Sequence, residues 1–283
     1  MKRMPHLSFV TAALFAFLAA CVADNKTHPD HSAYDAGAPA PLDCLPNLDG
    51  KIDSAEVKAV LGVPVKYLVS PVGKDRTVDV VGAVGSAGRR SWKMDVDLAD
   101  DQAITVSASS VDGKWYATSF PGAQFVAPFD AAGRLEAVYA QDATALFLLG
   151  LASKDPSPTE GKTLLVYATP ISVFRFPLAP GKTWTSSSAV SNATVRGLPY
   201  AGTDTYEVTD DATGELDLID LKFTQAHRIR TKVTTAPSAG ANVVTQQVSF
   251  VFECFGEVAR ATSKQGEPNA DFTTAAEVRR FGL

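Results

Sequence analysis

The stretch from Leu45 to Glu56, LPNLDGKIDSAE, places oxygen-bearing residues at spaced positions of one short loop. Carboxylate, carboxamide and main-chain carbonyl oxygens are the ligands that Ca²⁺ prefers in proteins. The candidate ligands are the side chains of Asn47, Asp49, Asp53 and Glu56 and the main-chain carbonyl of Lys51. The pattern therefore predicts a calcium site that is formed mainly by one continuous loop.

This loop resembles the calcium-binding loop of EF-hand proteins. With Gly50 set at the invariant glycine, every ligand position except the first is in register, and Leu45 stands where the first carboxylate belongs. Asp43, two residues upstream, is the candidate for the missing oxygen. The sequence SAEVKAVLG predicts a short helix after the loop, whereas the prolines before it exclude an entering helix. Two interpretations stay open: a filled calcium site, or an empty turn that caps the helix.

The N-terminus has the features of an export signal. Lys2 and Arg3 precede an apolar run that extends from about Leu7 to Ala20 and is short for a membrane span. The ending LAAC resembles the signal peptide of bacterial lipoproteins, which is cleaved before a lipidated cysteine. The resemblance implies that residues 1–20 are removed and that Cys21 carries a lipid anchor. We therefore expect a cell-envelope protein that is anchored by lipid at the outer membrane.

The segment after this cysteine, residues 21–42, is rich in Ala, Pro, Asp and Gly and predicts a flexible tether. The chain has 26 basic and 31 acidic residues and a formal charge of -5. Removing Lys2 and Arg3 with the signal changes this charge to -7, since -5 minus 2 is -7. An acidic chain argues against nucleic acid as a partner. The expected partners are the membrane, through the lipid, and an unidentified protein or glycan.

Two cysteines, Cys44 and Cys254, remain when Cys21 is assigned to the lipid. In an oxidising compartment they predict a disulfide that closes a loop of about 210 residues. The alternative is a pair of buried free thiols. Neither cysteine lies in a CxxC pair or beside a histidine, which argues against a thiolate metal site.

The chain from Pro64 onward predicts a mainly β fold. Short alternating or β-branched runs are separated by Gly, Asp and Ser, as in Val248, Phe250 and Phe252. The sequence VDGKW predicts a hairpin turn, and ATALFLLGLAS fits either a buried strand or a short core helix. We expect antiparallel sheets that form a sandwich or an open barrel-like structure, with one short helix after the EF-hand-like loop.

These patterns divide the mature chain into regions. The loop and its helix occupy residues 43–64, and the β region occupies residues 65–283, either as one domain or as two with a boundary near 160–175. Within it, FRFPLAPGKTW and TGELDLIDLKFTQAHRIRTKVTT resemble a β-domain pattern of secreted and envelope proteins of bacteria. The block FVFECFGEVARATS, together with the N-terminal signal and the loop, resembles lipoproteins of predatory or soil bacteria. Neither resemblance implies a particular chemistry.

Catalytic motifs are missing from the sequence: there is no GxSxG, HExxH, P-loop or GxGxxG. His227, the acidic stretch from Asp95 to Asp101 and the tryptophans Trp92, Trp115 and Trp184 are more typical of packing or solvated surface than of a site. We therefore predict no catalytic residue and expect a non-enzymatic envelope lipoprotein whose β domain binds a ligand or partner. The alternative is an envelope hydrolase or carbohydrate-active protein with dispersed carboxylates.

Overall fold

The structure of the protein is a computed structural model, which describes residues 44–85 and 88–282. The predicted signal peptide, the tether, the lipidation site Cys21 and the candidate ligand Asp43 lie outside the described residues. The described residues belong to one compact unit. Neither helix described in this unit is long and apolar enough to cross a membrane.

Strands make up most of the described chain, which confirms the mainly β prediction. They are β1 Val65–Val69, β2 Arg76–Thr77, β3 Ala83–Val84, β4 Arg90–Met94, β5 Gln102–Val106, β6 Phe125–Pro128, β7 Leu135–Gln141, β8 Ala145–Ser153, β9 Leu164–Arg175, β10 Lys182–Val195, β11 Leu198–Leu218, β12 Lys222–Pro237, β13 Val243–Phe252, β14 Gly256–Ser263 and β15 Thr274–Phe281. Two short 3-10 helices, Ser54–Val57 and Ala117–Ser119, complete the structure.

All fifteen strands belong to one sheet. Strands β6 to β15 pair antiparallel in chain order, and β1 and then β5 continue the sheet beyond β15. The exception to antiparallel pairing is β4, which lies parallel to the end of β11. Strands β6 to β15 therefore form a meander, in which each connection joins two neighbouring antiparallel strands.

The two ends of the sheet meet, so that it nearly closes into a barrel. Beyond β5, the main chain of Ser109 forms two hydrogen bonds of 2.9 Å with Val126 on β6. Across the enclosed space, Tyr139 on β7 lies near charged groups of Arg260 on β14 and Arg279 on β15. Burial raises the pKa of Tyr139 to about 12. Side chains from strands that are not neighbours therefore influence each other electrostatically inside the sheet.

Alternating residues supply the two faces of each strand. On β13, Val251 belongs to a cluster with Ile52 and Ile229 on the enclosed face. Phe250 belongs to a cluster with Trp92 on the opposite face. This alternation follows from the two-residue period of an extended strand.

Two local expectations differ from the structure. The helix expected over SAEVKAVLG is reduced to the 3-10 helix Ser54–Val57, and Lys58 is already extended with φ -65° and ψ 127°. The VDGKW turn does not join two strands, because a turn at Val111–Lys114 leads into the helix Ala117–Ser119. The ambiguous run ATALFLLGLAS forms strand β8.

Candidate functional site

The first described residues, 44–62, cross one end of the nearly closed sheet, and we call them the cover segment. This segment begins at Cys44, which forms a disulfide with Cys254 in the turn between β13 and β14, with a Cα–Cα distance of 5.6 Å. The predicted disulfide is thus confirmed. The carbonyl of Leu48 then accepts a hydrogen bond of 3.0 Å from the side chain of Gln225 on β12.

The second half of the cover segment continues across the same end of the sheet. Ile52 is fully buried and forms two main-chain hydrogen bonds, of 3.0 and 2.8 Å, with Leu178 in the β9–β10 connection. The side chain of Gln141, at the end of β7, donates to the main-chain carbonyl of Ser54 at 2.8 Å. Near the end of the segment, the amide of Gly62 donates to the carbonyl of Ala108 beyond β5. The cover segment therefore connects strand ends that lie far apart in the sheet.

A buried carboxylate from a distant strand end closes the EF-hand-like loop. Glu253 is 3% exposed, and its Oε2 accepts hydrogen bonds from the main-chain amides of Asn47 at 2.6 Å and Leu48 at 2.8 Å. The loop has no carboxylate of its own at its first position, where Leu45 stands. Glu253 thus accepts hydrogen bonds from amides at the start of the loop, and it precedes Cys254, so that it holds the loop next to the disulfide.

The predicted calcium ligands are gathered in the loop, where they mainly hydrogen-bond to each other and to its main chain. Asn47 Oδ1 accepts from the amide of Asp49 at 2.8 Å, and Asp49 Oδ1 accepts from the amide of Lys51 at 2.9 Å. Asn47 Nδ2 donates to Glu56 Oε1 at 2.8 Å, and the amide of Asp53 donates to Glu56 Oε2 at 2.7 Å. These bonds give the loop its shape through side-chain turns of the Asx type.

The electrostatics of the loop arise from carboxylates that are close together. Burial raises the pKa of Glu56, and the negative charges of Glu253, Asp53 and Asp49 raise it further. Within residues 44–85 and 88–282, no group of three or more His, Cys, Asp or Glu side chains is placed to hold a metal ion. The donor chemistry suits a hard cation, whereas the described geometry is that of a hydrogen-bonded turn.

A pocket of about 500 Å³ lies between the cover segment and the edge of the sheet. Its lining includes Ser54, Lys58 and Leu61 from the cover segment, and Gln124, Phe125 and Gln141 from the region of β6 and β7. The lining is completed by Ala55, Ala59 and Ala143, whose small side chains fill little of the pocket. This volume falls in the range of about 300–1,000 Å³ that is usual for small-molecule sites.

Some polar side chains of the pocket already form hydrogen bonds within the protein, and others do not. Gln141 is fixed by its bonds to Ser54, and its main-chain amide donates to Gln124 Oε1 at 3.0 Å. The Nε2 group of Gln124 and the ammonium of Lys58 make no hydrogen bond or ion pair with the residues that the structure describes. Both side chains belong to exposed residues. The pocket therefore offers donors that a ligand can use.

An aromatic pair connects the pocket to the enclosed face of the sheet. Phe125 stacks on Tyr139 with a centroid distance of 5.3 Å and an interplanar angle of 23°. Tyr139 in turn packs against the apolar cluster that contains Leu148 and Ile171. Tyr139 thus links Phe125 to the core and fixes the position of its ring.

The other candidates from the sequence lie elsewhere. His227 is 1% exposed, and its Nδ1 is 2.8 Å from Oδ2 of the fully buried Asp210. Burial raises the pKa of Asp210, and the His227 hydrogen bond opposes this shift. Trp92 and Trp184 are buried in the core, and Trp115 packs beside Tyr116. None of these residues lines the pocket at the cover segment.

The acidic stretch from Asp95 to Asp101 forms ion pairs through its last two residues, Asp100 and Asp101. Asp101 bridges Arg76 and Arg280, and Asp100 pairs with Arg76 at 2.9 Å and with Lys74. The hydrogen bonds from Lys74 and then Arg76 lower the pKa of Asp100 to about 2. This stretch fastens the segment between β1 and β5 to β15.

Comparison with known proteins gives no relative. No protein-family model, curated protein or solved structure matches the chain significantly.

Proposed function

We propose that this protein is a non-enzymatic, lipid-anchored protein of the cell envelope that binds a small polar ligand at the cover segment. The observation that carries the proposal is the pocket of about 500 Å³, which combines free polar donors with a fixed aromatic ring. The lipid anchor rests on Cys21 and the LAAC sequence. The ligand class we propose is a glycan of about one to three sugar units, for which a pocket of this volume is suitable.

The chemistry of the lining suits a saccharide. Carboxamide groups can donate and accept hydrogen bonds, and Gln124 has a free donor that can meet a sugar hydroxyl or ring oxygen. Lys58 adds a cation at the exposed edge, which can meet an acidic sugar. Phe125 offers an apolar surface, and its stacking on Tyr139 fixes the orientation of the ring. The pocket thus offers both polar and apolar contacts to a small ligand.

The hydrolase alternative gains no support from this pocket. Glycoside hydrolysis commonly uses two carboxylates that flank the scissile bond. The lining residues include no Asp or Glu. We therefore propose binding and not turnover at this site.

We also propose that calcium, when bound, stabilises the loop as a structural ion. Asn47, Asp49, Asp53 and Glu56 would supply side-chain oxygens and Lys51 its carbonyl. Neutralisation of repulsion among these carboxylates is the expected benefit, since burial and then the charges of Glu253, Asp53 and Asp49 raise the pKa of Glu56. The proposed role is bracing the cover segment.

The ligand proposal is tested with the mature chain carrying Cys21→Ser, which removes the lipid and leaves residues 44–282 unchanged. Titration calorimetry with neutral and acidic mono-, di- and trisaccharides should identify at least one ligand. Ala143→Trp, which fills the pocket, should weaken its binding by at least about tenfold. The matched control is Ala132→Trp, at an exposed position in the β6–β7 turn. Equal affinity of both variants for the ligand would refute binding in this pocket.

A further inference from the structure

A second cavity lies on the other face of the sheet, away from the cover segment. It has a volume of about 90 Å³ and lies between the segment that contains β2 to β4 and the strands β13 and β15. Its apolar walls include Val78, Met94, Phe250 and Val278. Two arginines, Arg76 and Arg280, also line it. Asp79, Lys93 and Asp101 complete the charged lining, and Asp101 pairs with both arginines. The cavity therefore combines an apolar wall with a cluster of charged groups.

Both arginines are buried and only partly bonded. Arg76 is 8% exposed and Arg280 is 3% exposed. Arg280 Nη1 donates to the carbonyls of Met94 at 2.9 Å and Val96 at 2.6 Å. The Nε–H groups of both arginines are buried without a hydrogen-bond partner among the described residues. A buried charged donor without a partner is unfavourable, and an anion in the cavity would supply one.

The charges around the cavity leave a place for one negative charge. The cations are Lys74, Arg76, Lys93 and Arg280, and the carboxylates are Asp79, Asp100 and Asp101, which gives a sum of 4 minus 3, or +1. A monoanion would balance this group. A small inorganic dianion would overcompensate it and would place no apolar atoms against Phe250 and Val278.

We propose that this cavity binds a small monocarboxylate with a short apolar tail. The carboxylate would accept hydrogen bonds from Arg76 and Arg280, and the tail would lie against Phe250 and Val278. A cavity of about 90 Å³ corresponds to roughly three water molecules, which limits the ligand to a short chain. This site is separate from the pocket at the cover segment, so either can fail without the other.

The test uses the mature Cys21→Ser chain and measures thermal unfolding and calorimetric binding at constant ionic strength. The probes are butyrate, butyramide as its uncharged analogue, octanoate as a longer chain, and chloride as a simple anion. Butyrate should bind and raise the melting temperature. Butyramide and chloride should not do so at the same concentration, and octanoate should bind at least about tenfold more weakly than butyrate.

Variants locate the binding. Arg76→Gln, which removes one cation, and Val78→Phe, which fills the cavity and keeps both arginines, should each weaken butyrate binding by at least about tenfold. Arg134→Gln is the control, because its side chain is 55% exposed and lies outside the cavity. If Arg76→Gln does not fold, Val78→Phe and the four probes still test whether butyrate binds in this cavity. No stabilisation by butyrate, equal stabilisation by butyramide or chloride, or unchanged binding in Val78→Phe would overturn the proposal.

Discussion

Replacing Glu253 by glutamine should loosen the start of the cover segment. The carboxylate is 3% exposed and accepts two main-chain hydrogen bonds, of 2.6 and 2.8 Å, from Asn47 and Leu48. Hydrogen bonds to a charged group contribute about 1.5–3 kcal/mol each, against about 1 kcal/mol for a neutral acceptor. Glutamine keeps the shape and one oxygen, so Glu253→Gln should lower the free energy of unfolding by about 1–3 kcal/mol.

The assay combines chemical denaturation with amide hydrogen exchange. Exchange at Asn47 and Leu48 should accelerate in Glu253→Gln by more than at amides in the centre of the sheet, because the lost bonds are local. Glu207→Gln is the matched control, since Glu207 is exposed and its pairing with Lys232 lies on the sheet surface. This control should change stability by less than about 0.5 kcal/mol.

Two results would contradict this explanation of the loop. One is a Glu253→Gln variant with wild-type stability and wild-type exchange at Asn47 and Leu48. The other is acceleration that is equal across the whole sheet, which would indicate a global and not a local effect. Either result would show that Glu253 does not hold the cover segment in place.

Three further perturbations have defined outcomes. The double variant Cys44→Ser and Cys254→Ser should lose up to about 5 kcal/mol of unfolding free energy in denaturant, because the disulfide spans 210 residues; an unchanged midpoint would contradict this. Burial raises the pKa of Asp204, so the folded state holds this proton more tightly and stability is lost as pH rises from about 4 through the raised pKa. Asp204→Asn should therefore gain stability relative to wild type with rising pH in unfolding measurements, and a constant difference would argue against it. Calcium should raise the melting temperature of the wild type but not of Asp49→Ala, and an unresponsive wild type would exclude the structural ion.

Features that depend on local pattern or on cysteine number could be predicted from the sequence. The alternation at Val248, Phe250 and Phe252 corresponds to β13, and the cysteine pair forms the disulfide. Gly50 takes φ +82°, a left-handed conformation that suits the glycine position of the loop pattern. These features are determined by neighbouring residues or by the small number of cysteines in the chain.

The role of Glu253 could not be predicted, because it lies 206 positions from Asn47 in the sequence. Its only sequence signal is a position beside Cys254, the cysteine expected to meet the start of the loop. The helix expected over SAEVKAVLG is reduced to Ser54–Val57 because tertiary contacts compete with helix propensity: Leu61 pairs with Ala108, which requires extended backbone.

The pocket residues gave no sequence signal either. Gln124, Phe125 and Gln141 belong to no motif, and the sheet brings them together only because β6 pairs with β7. For the tryptophans, the sequence favoured packing over a site. Trp92 and Trp184 are indeed buried in the core, where large aromatic side chains contribute most.

The most direct test of ligand binding at the cover segment is mapping by nuclear magnetic resonance. The isotope-labelled mature chain is titrated with the tightest-binding saccharide, and shifts are followed in the main chain and in the side-chain amides of Gln124 and Gln141. Binding in the pocket predicts that the largest saturable shifts occur at these two side chains and at Phe125. Shifts that are absent, or that are largest at residues outside the pocket, would contradict the proposed function.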